Sequence, residues 1–174
     1  MRPRWVFLDR DGTINVSPPP QEYVTDAADL QLLPGAGEAI ASLNQAGIWV
    51  GIVTNQRGVA LGRLSPSDLD AIHARLRELL AEHDARLDGI WVCPHHDGAC
   101  ECRKPLPGLL RQAQSTVPDL HFCESALIGD TAADIAAGRA VGALTVRLGD
   151  GGEAGDADLV APDLAAAVDL LLSR

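Results

Sequence analysis

Short, almost wholly apolar runs alternate with amphipathic stretches along this chain, and that alternation limits its fold more than any other feature. Trp5-Val6-Phe7-Leu8 and Ile48 to Thr54 (IWVGIVT) carry no apolar–polar alternation, so each reads as a strand buried on both faces. Gly89 to Val92, Ala126 to Ile128, Leu144 to Val146 and a short Asp158 to Val160 are further strand candidates. Helical stretches lie between them, from about Gly35 to Ala46, Ala132 to Ala140 and Asp163 to Leu172. Another begins at Ser65-Pro66-Ser67-Asp68, which offers a capping hydroxyl, a proline for the first turn and an acid three residues on. Behind it Leu69, Ile72, Leu76, Leu79 and Leu80 share one face. Strands spaced by helices imply βαβ units, hence an α/β fold with a mostly parallel sheet covered on both faces. At 174 residues the chain suits one domain, residues 1–174. Ligands of such sheets bind beyond the carboxyl ends of the strands, which is where chemistry is to be sought.

Four segments at such ends carry the candidates. Asp9 and Asp11 follow the first strand, and Gly12 lets the chain turn away. Two clustered acids there can hold a divalent cation, and one can attack an electrophile while the other moves a proton, although Asp-Gly is also a common turn. Thr54-Asn55-Gln56-Arg57 ends the second strand with a hydroxyl and turn amides suited to phosphate oxygens; an ordinary strand-to-loop transition is the alternative. Arg103-Lys104-Pro105 brings a lysine that could neutralise a transferring phosphoryl group, or simply sit on the surface. Ile128-Gly129-Asp130 ends another strand with a third metal-side acid, unless Asp130 is a helix N-cap. Asp134 lies one helical turn further and could orient Lys104 or Asp130.

Composition removes several classes of function. A formal net charge of −10 leaves no basic stripe for nucleic acid, while a small phosphorylated molecule remains compatible through a metal ion and a few local cations. No apolar run reaches the length of a membrane span, and Asp9 interrupts the N-terminal stretch too early for a signal peptide, so a cytoplasmic location is expected. Three of the four cysteines fall within Cys93-Pro94-His95-His96-Asp97-Gly98-Ala99-Cys100-Glu101-Cys102. Cys93, His95, Cys100 and Cys102 suit a closed tetrahedral Zn²⁺ site that staples the 93–102 loop behind Lys104, with His96 as rival to His95 and unliganded thiols as the other reading. Cys123 reads as a small buried hydrophobe. Pro18-Pro19-Pro20 and Gly149 to Gly155 read as loops.

The order Asp-x-Asp-Gly-Thr, Thr-Asn, Lys-Pro, Gly-Asp-x-x-x-Asp resembles the haloacid dehalogenase (HAD) superfamily from about Val6 to Val146. The resemblance implies a Rossmann-like, doubly wound fold with Asp9 as nucleophile, Asp11 as general acid/base and Thr54 and Lys104 as stabilisers of the phosphoryl group. It also implies Mg²⁺ held by Asp9, Asp130 and the backbone carbonyl of Asp11. The Cys-Pro-His-His to Cys-Arg-Lys-Pro loop narrows the likeness to the heptose 1,7-bisphosphate 7-phosphatases and the related histidinol-phosphate phosphatases. Leu8 to Asn15, Tyr23-Val24 and Thr54-Asn55-Gln56 favour the heptose group. Arg10, Tyr23, Asn55, Gln56, Arg57, Arg103 and Thr131 are then the expected substrate contacts, a phosphorylated sugar the expected partner, and a monomer the expected state. Arg57, Leu61 and Thr131 depart from residues frequent in that group, and the proline run and the short zinc loop differ too. Only a flap between Asn15 and Pro34 is available as cover, so no large cap is expected. Histidinol phosphate is the alternative substrate, and a non-catalytic sugar-phosphate-binding module the distant alternative.

Overall fold

A computed structural model of the chain describes residues 2–149 and 155–174, so most of the expected Gly149 to Gly155 loop lies outside the described residues. The strands β1 (Trp5–Leu8), β2 (Trp49–Asn55), β3 (Gly89–Cys93), β4 (Ser125–Gly129), β5 (Leu144–Leu148) and β6 (Leu159–Ala161) form one sheet in the order β3-β2-β1-β4-β5-β6. Every recorded pairing is parallel, in line with the mostly parallel sheet expected.

The pleat of β1 explains the layering. Val6 and Leu8 enter a core with Ile40 and Leu43 of α1 (Ala36–Gln45), Ile72, Leu76 and Leu80 of α2 (Pro66–Ala81) and Val168 and Leu171 of α5 (Leu164–Leu172). Trp5 and Phe7 point the other way, into a second core with Leu109, Leu110 and Ala113 of α3 (Gly108–Thr116) and Ala137 of α4 (Ala132–Arg139). A strand with helices on both sides has no polar face to show, which is why its sequence lacks alternation.

The expected elements are present with ends shifted by a residue or two, as fraying allows. α3 lies in a segment for which no element was expected. Its start is masked by Pro105, Pro107 and Gly108, and its apolar face rests on just Leu109, Leu110 and Ala113. Gly108 is required there, because a Cβ would collide with the backbone of Glu101 and Cys102 in the cysteine loop. Cys123 corrects another expectation. It is exposed in the short 3-10 turn Phe122–Glu124, where the neighbouring Phe122 takes the inward position.

Topology fixes the place of the site. The register pairs Leu8 with both Ile52 and Ile128, so β1 and β4 stop nearly level while β2 runs on to Asn55. The backbone N–H of Asp9 donates to the carbonyl of Ile128 at 3.0 Å, so Asp9 leaves the sheet beside Gly129 and Asp130. The strand order reverses between β1 and β4, and this is the crevice where doubly wound sheets bind ligands. No large cap covers it among the described residues: Asn15 to Pro34 holds a bridge between Asn15 and Leu32 and one 3-10 turn, Ala27–Asp29. No helix among the described residues is long and apolar enough to cross a membrane.

α2 begins with a capping box: the Ser65 hydroxyl accepts from the Asp68 N–H at 3.1 Å, and the Asp68 carboxylate accepts from the Ser65 N–H at 2.7 Å. Ser65→Ala is expected to lower unfolding free energy by about 1 kcal/mol. Urea denaturation would read this as a lower midpoint at unchanged slope.

Candidate active site

Lys104 is the centre of the site. It reaches the carboxyl edge because Asn55, at the end of β2, grips its backbone: the Asn55 amide donates to the Lys104 carbonyl and accepts from the Lys104 N–H, both at 3.0 Å. The ammonium then lies 2.8 Å from Asp9 Oδ1 and 2.5 Å from Asp134 Oδ1, with its side chain 3% exposed. Burial disfavours the Lys104 charge, but Asp9 and then Asp134 outweigh it and raise the pKa. Burial pushes Asp9 up to about 6, with Lys104 opposing and Asp134 adding to the rise. Asp134 is fully buried, and its second oxygen accepts from the Thr131 N–H at 3.0 Å and the Thr131 hydroxyl at 2.5 Å. Thr131, not Asp130, is therefore the N-cap of α4.

Asp130 is thereby left for other work. Its Oδ1 is buried without a hydrogen-bond partner, and burial followed by the nearby Asp134 raises its pKa. Carboxylate oxygens of Asp9, Asp130 and Asp134 lie within 4.8 Å of one another. Asp134 uses both oxygens on Lys104 and Thr131, whereas Asp9 meets Lys104 through Oδ1 alone, so Asp9 and Asp130 are the pair that could hold a cation. Such hard oxygen donors with one orphaned oxygen fit Mg²⁺. Gly12 allows the approach: it has φ +82°, and a Cβ there would strike the Asp130 carboxylate. A cavity of about 370 Å³ opens alongside, lined by Gly12, Thr13, Leu33, Pro34 and Asp130 among others.

Asp11 turns away from this cluster into a cage of donors. Arg10 donates Nε at 3.2 Å and Nη2 at 3.0 Å to Oδ1, and Nη2 again at 2.9 Å to Oδ2. Asn15 Nδ2 reaches Oδ1 and Gln56 Nε2 reaches Oδ2, each at 2.9 Å. Gln56 Nε2 also lies 2.9 Å from Thr54 Oγ1. The Asp11 side chain keeps 23% exposure, so the carboxylate is held in place yet still open to solvent. On the far side of Arg10, Nη1 lies 3.3 Å from His73 Nε2 on α2.

The cysteine loop brings its four predicted ligands together. Cys93 Sγ is 3.5 Å from Cys100 Sγ and 3.7 Å from His95 Nδ1, while Cys102 Sγ is 3.3 Å from both Cys100 Sγ and His95 Nδ1. Donors held about 2.0–2.3 Å from one zinc ion would stand about 3.5–3.8 Å apart, so the cluster fits Zn²⁺ with slight widening. His96 is outside it.

Comparison with known proteins agrees with this geometry. A family model described as HAD-hydrolase-like matches residues 101–170. The D-glycero-β-D-manno-heptose-1,7-bisphosphate 7-phosphatase of Rhodopseudomonas palustris is 42% identical over 144 residues, covering 78% of each chain. The D-glycero-α-D-manno-heptose-1,7-bisphosphate 7-phosphatase of Mycobacterium tuberculosis is 36% identical over 159 residues, 88% of this chain and 83% of that one. The chain belongs to the heptose-bisphosphate phosphatase family of the HAD superfamily. Among solved structures, the D,D-heptose 1,7-bisphosphate phosphatase of B. bronchiseptica, complexed with magnesium and phosphate, superposes with a TM-score of 0.89 at 34% identity over 98% of both chains.

Within this family member, the expected substrate contacts divide into two groups. Arg10 and Gln56 are buried, and with Asn55 they hold Asp11, Thr54 and Lys104. Arg10 has no exposed surface, and its recorded side-chain partners are Asp11 and His73. Thr131 caps α4, its hydroxyl committed to Asp134. Tyr23, Arg57 and Arg103 stand at the rim, where Asp97 pairs with Arg57 Nη1 and with Arg103 Nε, the latter at 2.5 Å. Arg57 Nε and Arg103 Nη1 are buried donors without partners. Asn15, His73 and Asp97 were not anticipated. His73 had a signal, because it follows Ile72 and lies four residues after Leu69 on the inward side of α2.

Asp134→Ala would leave the buried Lys104 ammonium with one partner and strip the capping box from α4. A loss of about 3 kcal/mol in thermal or chemical unfolding is expected. His95→Ala is expected to abolish zinc uptake while His96→Ala retains it, as measured by metal content per chain after dialysis.

Proposed function

We propose that the chain is a Mg²⁺-dependent phosphatase that hydrolyses the 7-phosphate of D-glycero-D-manno-heptose 1,7-bisphosphate through an aspartyl-phosphate at Asp9. The observation that carries this reading is the convergence of Asp9, Lys104 and Asp130 beside a separately held Asp11 at one crevice. The similarity to heptose-bisphosphate phosphatases over nearly the whole chain supports the substrate.

The chain's own groups suffice for the proton and bond accounting. A carboxylate oxygen of Asp9 attacks phosphorus, the bond from phosphorus to the C7 oxygen breaks, and Asp11 gives that oxygen a proton. Asp11 then takes a proton from water as the water oxygen attacks phosphorus, releasing phosphate and restoring Asp9. A pKa of about 6 leaves Asp9 mostly ionised at neutral pH, without a base to activate it. Lys104 and Thr54 face the charge that develops on the phosphoryl oxygens. When bound at Asp9, Asp130 and the Asp11 carbonyl, Mg²⁺ neutralises part of that charge.

Arg57 and Arg103 are the cations suited to the second phosphate of a bisphosphate, since each carries a buried N–H without a partner at the rim. Tyr23 stands with them as a contact to the sugar. Zn²⁺ in the Cys93–Cys102 loop is structural, with all four positions taken by protein. The protein works as a monomer in the cytoplasm in this reading. Thiolates arranged for metal, not for disulfides, accord with a reducing compartment.

Phosphate release with Mg²⁺ tests the proposal on both anomers of the heptose bisphosphate and on histidinol phosphate. The heptose ester is expected to be preferred, with release only from C7. Asp9→Asn should lower turnover by about three orders of magnitude or more. Preference for histidinol phosphate would overturn the substrate, and full activity of Asp9→Asn would overturn the mechanism.

A further inference from the structure

The imidazole of His73 lies outside the chemistry derived above, yet it touches a group that holds Asp11. Arg10 is fully buried, and its backbone is locked because its carbonyl accepts from the N–H groups of Thr13, Ile14 and Asn15 at 3.3, 2.8 and 3.2 Å. Its guanidinium lies between the Asp11 carboxylate and α2. Nε and Nη2 face Asp11, and Nη1 meets His73 Nε2 at 3.3 Å. Arginine has donors only, so His73 Nε2 must be the acceptor and the proton of the neutral ring sits on Nδ1. Burial, followed by the neighbouring Arg10, lowers the His73 pKa to about 4, against the opposing pull of Asp70 and Asp11. At neutral pH the ring is therefore in the state that can accept.

This contact has a geometric consequence. A guanidinium is a rigid plane, and gripping both oxygens of a carboxylate fixes that plane only about one axis. A third contact from another element sets the remaining rotation. Without an acceptor at position 73, Nη1 would lose its recorded side-chain partner, and the plane could tilt toward another one at the expense of Asp11. We propose that His73 is a positioning residue for proton transfer: by accepting from Arg10 Nη1 it holds the guanidinium in the plane that aims Asp11 at the leaving oxygen. The inference rests on the phosphatase reading and deepens it, because it ties the general acid to the outer helix α2.

Leaving groups separate this role from a merely structural one. An alkoxide such as the C7 oxygen requires the proton from Asp11, whereas p-nitrophenolate departs without it. The value of kcat/KM reports the step that breaks this bond, and so isolates the need for the acid. Wild type, His73→Leu and His73→Gln are compared with Mg²⁺ on heptose 1,7-bisphosphate and on p-nitrophenyl phosphate. His73→Leu is expected to lose about tenfold or more in kcat/KM on the heptose ester and less than about threefold on the aryl ester. His73→Gln, whose amide oxygen can accept the same N–H, should recover most of the loss. Equal losses on both esters, no loss on either, or a glutamine variant as impaired as leucine would overturn the inference while leaving the phosphatase reading standing. A wild-type chain inactive on both esters would overturn the reading, and the inference with it.

Discussion

The ammonium of Lys104, closed off from water between Asp9 and Asp134, is the interaction on which the remaining architecture depends. A buried cation is tolerable only with good partners, and each partner has a second duty. Asp9 lies at the end of the central strand, and Asp134 completes the capping box that starts α4. The end of β1, the start of α4 and the Arg103-Lys104 segment are thus tied through one nitrogen. Asn55 adds β2 by holding the Lys104 backbone. Four segments distant in sequence meet because one charge has to be neutralised.

Around this hub the side chains divide into those that act and those that hold. Asp11 stays open to solvent while Arg10, Asn15 and Gln56 restrain it, and Gln56 reaches Thr54 as well. The restraining groups are buried, and the donors they turn toward Asp11 are all engaged by it. Polar networks of this kind gain rigidity only when their members are satisfied. Three of the unpartnered buried atoms lie where the proposed reading calls for an outside partner: Asp130 Oδ1 beside Asp9, and Arg57 Nε and Arg103 Nη1 at the rim.

Much of this was legible in the sequence, for identifiable reasons. Strands buried on both faces leave uninterrupted apolar runs, so β1 and β2 stood out, and Ser65 with Asp68 marked the start of α2. The close spacing of Cys93, His95, Cys100 and Cys102 made the cluster visible without any tertiary information. The division between holding and acting residues was not visible. Arg10, Asn55 and Gln56 adjoin the proposed catalytic positions in the chain, and adjacency alone cannot say whether a side chain points outward or inward. His73 meets Arg10 and Asp97 meets Arg57 across dozens of residues, through packing that no local pattern encodes. The helix α3 escaped notice because prolines open its segment and its buried stripe is short.

The Arg57–Asp97–Arg103 bridge at the rim is built from side chains outside both hydrophobic cores. Its single carboxylate answers two guanidiniums, so exchanging any member changes the local charge. In the proposed reading, the part that chooses among phosphate esters can therefore drift while the reacting centre stays put. A lineage could acquire a new diet of substrates by editing a few surface positions, long before its fold registered the change.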